Sequence, residues 1–183
     1  MRFQKLNLYE KQKNKNLIII AKLIWDFFGK PLFASNFPGT YWRKFILRIF
    51  GAKIGKGGKI KTNIKISEPW NLSIGDHCWI GENVWIDNLA LVKIGNRVCI
   101  SQGVYLCTGN HNYKKDLFNL ILGKIVIEDD CWIAAKSIIA PGSILKRGSI
   151  SFLGSVVSGI LQEDGIYKGN PAKLLKSKDD NLN

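Results

Sequence analysis

One histidine stands where a regular pattern fails. His111 lies in Thr108-Gly109-Asn110-His111-Asn112-Tyr113, inside a stretch from about Gly109 to Gly123 that interrupts the six-residue spacing on either side of it. An imidazole exchanges a proton near neutral pH and so can take one from a hydroxyl, which an ordinary Asp or Lys does only after a large perturbation. Long departures from a regular scaffold are also where binding and catalytic residues concentrate. His111 is therefore the candidate general base. His77, the second of two histidines, falls inside the regular pattern at an outward position and reads as structural or exposed. Two histidines and four cysteines without CxxC spacing supply no metal-ligand cluster, so no metal is expected.

The pattern that His111 interrupts is clearest from 127 to 157. Ile127, Ile133, Ile139, Leu145, Ser151 and Val157 recur at steps of six, and Cys131, Ser137, Ser143, Ser149 and Ser155 follow the first five by four positions. A period of six fits neither a helix of 3.6 residues per turn nor the two-residue alternation of a strand; it is a β-helix repeat. Each hexapeptide makes one flat face, with the aliphatic residue inside and the small one at the corner. Three faces complete a triangular coil, and coils stack as parallel strands about 4.8 Å apart. Earlier sets follow the same rule: Ile54, Ile60, Ile66; Ile74, Ile80, Ile86; Ile94, Ile100, Leu106. Successive sets lie 20 residues apart, which implies a two-residue insertion at one corner of each coil. The expected class is all-β, a parallel β-helix over 53–165; an ordinary β-sandwich with regular turns is the competing reading.

The chain of 183 residues carries a formal charge of +13, and the excess is local. Residues 1–65 hold 15 Lys and Arg against Glu10 and Asp26, whereas from Ile66 onward 12 basic residues meet 12 acidic ones. A basic N-terminal segment on a neutral domain calls for an anionic partner. No recognition helix, zinc finger or RNP-like motif points to nucleic acid; anionic lipid headgroups fit better. Residues 1–16 are polar and basic and are expected to be poorly ordered. The apolar run Leu17 to Phe28 is too short to span a bilayer, which takes about 20 residues. It reads either as an interfacial helix with Trp25, Phe27 and Phe28 at the headgroups, or as a helix that caps the β-helix or packs in an oligomer. Residues 42, 45, 46, 49 and 50 are apolar at helical spacing, so 41–50 should be an amphipathic helix with Arg43, Lys44 and Arg48 largely off the apolar stripe. The helical segment thus covers 1–52, and a closing loop and tail cover 166–183. Cys78 and Cys131 occupy small inward slots and read as reduced packing residues. With no signal for cleavage, a cytoplasmic location is expected.

The run IGDHCWIGENVWIDNLALVKIGNRVCISQGVYLCTGNHNY, the later IVIEDDCWIAAKSIIAPGSI and the terminal GNPAKLLK resemble the hexapeptide-repeat acyltransferases, and within them the colanic-acid-biosynthesis acetyltransferase group of the WcaF type. The resemblance covers about residues 40–176. It implies a left-handed β-helix, against the usual right-handed crossover, assembled as a homotrimer with sites between subunits. It also implies transfer of an acetyl group from acetyl-CoA to a sugar hydroxyl of an exopolysaccharide or lipid-linked precursor. On matching positions, His111 would deprotonate the acceptor hydroxyl, and Asp87 and Asn88 in WIDNLA would contact the acceptor, although Asp-Asn equally suits a corner turn. Trp132 would flank the pantetheine arm, and backbone N–H groups near Ala134 and Ala135 would meet the thioester oxygen. Lys173 and Lys176 would pair with CoA phosphates. Ala134 stands where many relatives have Gly, and Ser158-Gly159 where a Thr-Lys pair is common. These departures leave open a non-catalytic scaffold or binding module, as well as an acetyltransferase for a free sugar or antibiotic.

Overall fold

The aliphatic residues at six-residue spacing line the inside of a parallel β-solenoid. A computed structural model describes residues 16–178, with side chains from Ile19 onward; the basic stretch 1–15 and residues 179–183 lie outside the described residues. The first face stacks Lys53–Ile54, Leu72–Ile74, Val92–Ile94, Ile125–Ile127, Ile144–Leu145 and Ile160–Leu161. The second stacks Lys59–Ile60, Trp79–Ile80, Cys99–Ile100, Trp132–Ile133, Ile150–Ser151 and Gly165–Lys168, and the third Lys65–Ile66, Trp85–Asp87, Tyr105–Cys107, Ile138–Ile139 and Val156–Val157. Pairing within each stack is parallel and brings inward residue onto inward residue, as in Ile54, Ile74, Ile94, Ile127, Leu145 and Leu161 on the first face. Three interleaved parallel stacks exclude the β-sandwich.

Two corners have a fixed length and one does not. From first to second face and from second to third, inward residues are always six apart. At the third corner Ile66 to Ile74 and Ile86 to Ile94 span eight residues, Leu106 to Ile127 twenty-one, Ile139 to Leu145 six and Val157 to Leu161 four. The short corners turn by means of left-handed residues, one per coil except in the first, where Gly58 joins Gly57. These are Gly57, His77, Arg97, Asp130, Gly148 and Asp164 at the first corner, and Asn63, Asn83, Gly103, Lys136 and Gly154 at the second. Gly, Asn and Asp enter this conformation readily; the other types bear a cost of about 1–2 kcal/mol. His77 is therefore a corner residue. Ser137, Ser149 and Ser155 are fully buried beside these corners and Ser143 beside the third; Ser137 Oγ donates to Phe152 O (2.9 Å) and Ser143 Oγ to Ala140 O (2.8 Å).

A helical cap covers the open edge of the first coil. It comprises α1 (Asn16–Ile24), a π-helical turn (Trp25–Gly29), α2 (Lys30–Phe33) and α3 (Thr40–Ile49). Each face presents an unpaired strand edge, and a cap side chain meets each one: Arg48 Nη2 donates to Ile54 O (2.8 Å), Thr40 Oγ1 accepts from Ile60 N (3.4 Å), and Trp25 Nε1 donates to Ile66 O (3.0 Å). Lys44 Nζ bonds Gly57 O at the intervening corner. Arg43 gathers the connector into α3, donating to the carbonyls of Gly39, Ser35 and Phe37, each at 2.7 Å. These bonds turn two of the α3 cations inward beside the buried Leu47, while of the apolar stripe Ile46 and Phe50 still pack on the core. Arg43 and Lys44 are buried, while Tyr41 (90% exposed), Phe45 and Ile49 face outward. The reason is that the connector carbonyls around Arg43 and the Gly57 carbonyl at the first coil require donors, which an apolar stripe does not carry. At the other end, Lys173–Ser177 adds antiparallel to Gly165–Lys168 and closes the second face.

The corner assignment is testable by equilibrium urea unfolding. His77→Val, a branched residue in a left-handed slot, should lower stability by about 1–2 kcal/mol, whereas His77→Gly should stay within about 1 kcal/mol of the parent. Equal losses in the two variants would refute it.

Candidate functional site

The interruption at 109–123 is an ordered hairpin. Gly109–His111 pairs antiparallel with Leu120–Leu122, His111 opposite Leu120. Its base closes through Gly123 N to Thr108 O (2.9 Å), and a side chain at Gly123 would meet Gly142 N at 2.5 Å, so only glycine fits there. His111 Nδ1 lies 2.7 Å from Phe118 O, and the two rings stack at 4.4 Å and 4°. A carbonyl only accepts, so Nδ1 carries the hydrogen and the basic lone pair is on Nε2. Phe118 itself sits at φ 49°, a left-handed conformation unusual for a bulky residue and of a kind that clusters at functional sites.

The hairpin springs from the variable third corner, directly above Asp87 and Asn88. Cys107 pairs with Asp87, and Thr108 donates to Asp87 O from both its N–H (3.0 Å) and its Oγ1 (2.8 Å). The carboxylate of Asp87 accepts from Ser67 Oγ (2.8 Å) and Tyr105 OH (3.2 Å). Burial, then Cys107 and Asp87, push the Tyr105 hydroxyl well above the usual phenol range, so it remains a donor. Tyr105 stacks on Trp85 at 4.5 Å. Asn88 behaves differently: it is fully buried, takes Glu68 N on its Oδ1 (3.0 Å) and gives its Nδ2 to Glu68 O (2.6 Å). Its carboxamide is spent on holding the corner. Of the expected pair, Asp87 reaches the surface and Asn88 does not.

Trp132, Ala134 and Ala135 meet at the second corner, in a groove of about 600 Å³ whose walls also include Phe152, Leu153 and Lys168. Trp132 Nε1 donates to Ser101 Oγ (3.0 Å), which orients the indole along the groove. The N–H of Ala134 is used in the strand ladder, donating to Ser151 O (2.8 Å); among the described residues the Ala135 N–H has no partner. Of the two N–H groups, that of Ala135 is the one the strand ladder does not use. Across the second face Trp132, Ile150, Ile166 and Lys176 lie in one row of register partners, which sets Lys176 three strand spacings, roughly 14 Å, from Trp132. Lys173 pairs with Lys168 at the groove mouth.

The sequence reading missed Lys168, Phe152, Leu153 and Ser101 as groove residues. Phe152 follows Ser151, which breaks the aliphatic series, and that irregularity was the available signal. The cysteines add no chemistry here: burial pushes the thiols of Cys78, Cys99 and Cys131 up, away from reactivity. Among the described residues no cluster of three or more His, Cys, Asp or Glu converges.

The split between Asp87 and Asn88 predicts opposite responses in equilibrium unfolding. Asn88→Ala leaves two buried backbone groups unpaired and should cost about 2 kcal/mol or more. Asp87→Ala, at the surface, should cost about 1 kcal/mol or less. A reversed order would contradict the corner geometry.

Comparison with known proteins bears on this arrangement. No family model matches the chain. The colanic acid biosynthesis acetyltransferase WcaF of Escherichia coli K12 is 39% identical over 156 residues, 85% of this chain and 86% of that protein. Among solved structures, the hexapeptide-repeat acetyltransferase VCA0836 of Vibrio cholerae complexed with acetyl coenzyme A superposes with a TM-score of 0.82 at 24% identity, covering 94% of each chain. A galactoside acetyltransferase in complex with coenzyme A gives 0.81 at 19% identity, covering 92% of this chain and 86% of its own. The structural likenesses establish the fold, and the WcaF identity over most of both chains establishes the kinship: this chain belongs to the WcaF family of hexapeptide-repeat acetyltransferases.

Proposed function

We propose that this enzyme transfers an acetyl group from acetyl-CoA to a hydroxyl of a glycan in polysaccharide biosynthesis, as a homotrimer of left-handed β-helices with sites between protomers. The observation that carries the reading is His111, its Nδ1 anchored on Phe118 O, on an ordered hairpin rooted beside a surface carboxylate. His111 Nε2 takes the proton of the acceptor hydroxyl as its oxygen attacks the thioester carbonyl. The Ala135 N–H receives the charge that develops on that carbonyl oxygen, a contribution of about 3 kcal/mol in comparable sites. As the tetrahedral intermediate collapses, the departing thiolate takes the proton back from His111. Asp87, with Ser67 and Tyr105 on its carboxylate, orients the acceptor. Trp132, Phe152 and Leu153 suit the pantetheine arm, while Lys168, Lys173 and Lys176 suit the phosphates.

A neighbouring protomer is needed because the hairpin leaves from the third corner while the thioester groove opens at the second. The strands of the third face separate the two within one chain. A three-fold arrangement that brought one protomer's third corner beside the next protomer's second would complete such a site.

The helical cap supports contact with an anionic membrane. Among the described residues no helix is long and apolar enough to cross a bilayer. Yet Phe27 (78% exposed), Phe28 (72% exposed), Leu32 and Phe45 face outward, and the adjoining first coil carries an outward lysine on every face: Lys53, Lys59 and Lys65. Aromatic side chains beside a ring of cations match an anionic headgroup layer. Together with the reducing compartment expected from the cysteines, these features support a site of action at the inner face of a membrane.

Two measurements test these assignments. His111→Ala should lower kcat at least 100-fold in an assay of CoA release with a glycan acceptor, with the protein still folded; turnover within twofold of the parent would remove His111 from the mechanism. The double variant Phe27→Ser/Phe28→Ser should lose at least tenfold in partition to vesicles containing phosphatidylserine. Undiminished binding would show that the cap faces something other than lipid.

A further inference from the structure

The groove along Trp132 does not end there. It shares Ser101 and Gln102 with a second depression of about 400 Å³, lined also by Lys59, Trp79 and Cys99, so the two join along the second corner. An acyl donor with its phosphates toward Lys168, Lys173 and Lys176 brings its thioester to this junction, beside the Ala135 N–H. The next residue is Lys136, whose own N–H donates to Gln102 O at 3.0 Å.

Lys136 is an unexpected residue for its position. It fills the left-handed slot of the second corner at φ 61°, where the corresponding residues of other coils are Asn63, Asn83, Gly103 and Gly154. Asn and Gly enter that conformation readily, whereas a long aliphatic stem enters it at a cost in backbone energy. Three other charged residues occupy left-handed corner slots, and each has a partner that accounts for its charge. Arg97 and Asp130 bond one another at 2.6 Å, and Asp164 meets Lys178 at 3.5 Å. Among the described residues, Lys136 Nζ has neither a carboxylate nor a hydrogen-bond partner. Its side chain lies across the corner of the preceding coil, since a methyl group at Gly103 would meet Lys136 Cδ at 2.9 Å and Nζ at 3.1 Å. Glycine at 103 leaves the ammonium room to rest beside Gln102, where the two depressions join.

We propose that Lys136 is a further catalytic group of the acetyl transfer: its ammonium, together with the Ala135 N–H, meets the negative charge that develops on the thioester carbonyl oxygen. Nζ donates a hydrogen bond to that oxygen and keeps its proton throughout, and His111 remains the group that moves the proton of the acceptor. A charged donor binds an oxyanion more strongly than a neutral N–H does, which gives a reason for lysine in a slot that suits Asn or Gly. This rests on the acetyltransferase reading above and adds a residue to its donor site.

The test uses two variants chosen for the slot. Lys136→Asn supplies the residue type found at 63 and 83, so its urea midpoint should equal or exceed that of the parent. Its kcat with a glycan acceptor should fall at least about 30-fold, while KM for acetyl-CoA changes less than about threefold. Lys136→Arg, which keeps the cation, should stay within about fivefold of the parental kcat. A readout without turnover comes from S-carboxymethyl-CoA, whose carboxylate stands in for the developing charge. In calorimetry the parent should bind it at least about tenfold more tightly than CoA, and Lys136→Asn should bind the two within about threefold of each other. Parental kcat in the Asn variant, or an unchanged preference for the carboxylate analogue, would overturn the role of Lys136 and leave the acetyltransferase standing. Dissociation of the oligomer in that variant would assign the ammonium to a subunit contact and overturn the role as well. Failure of the parent to bind either CoA compound would overturn the donor groove itself and the proposal with it.

Discussion

Every coil of a parallel solenoid hydrogen-bonds to the next, so the first coil has a row of backbone groups with nothing beneath it. The arrangement at the N-terminal end answers that need. Arg48, Lys44, Thr40 and Trp25 each bond a different point on the exposed edge, and in doing so they fix where the helical cap sits and which way it faces. Because α3 spends its cations on carbonyls, its aromatic residues are left pointing outward. The surface proposed to meet lipid is thus a by-product of closing the fold.

The chemistry is organised by a second constraint, the stacking of inward residues. Leu106 and Ile139 stay in register across the interruption, as do Ile94 and Ile127. The hairpin can therefore carry His111 outward without disturbing the core. Beneath it, Asn88 locks one coil to the next through the backbone of Glu68, which leaves the neighbouring Asp87 carboxylate on a fixed mount. Burial and polarity divide the labour between two adjacent residues of similar size.

Much of this was legible in the sequence because a period of six leaves few alternatives. The inward residues, the insertion corner and the departure at 109–123 all follow from spacing. His111 could be singled out because it stands in that departure, yet the Phe118 carbonyl that sets its tautomer could not, since Phe118 approaches through a hairpin with no repeat to announce it. Asn88 and Asp87 could not be told apart, because corner turn and ligand use the same residue types. The burial of Arg43 and Lys44 could not be read for a related reason: helical periodicity reports which residues are apolar, and the connector and first-coil carbonyls that draw these two cations inward are gathered only once the chain is folded. That Ala134's N–H is taken up in the ladder, leaving Ala135's as the candidate donor, could be read only from the folded chain.

The unequal corners have a consequence for how such an enzyme can diversify. Two of the three edges of the prism are bound to six residues by the stacking on either side, whereas the third accommodates spans from four to twenty-one with the core unchanged. Length along the chain is a free variable at that one seam. Substrate preference can be rewritten there by insertion, much as an interchangeable tool is mounted on a fixed spindle, while the wall proposed to hold the acyl donor stays the same.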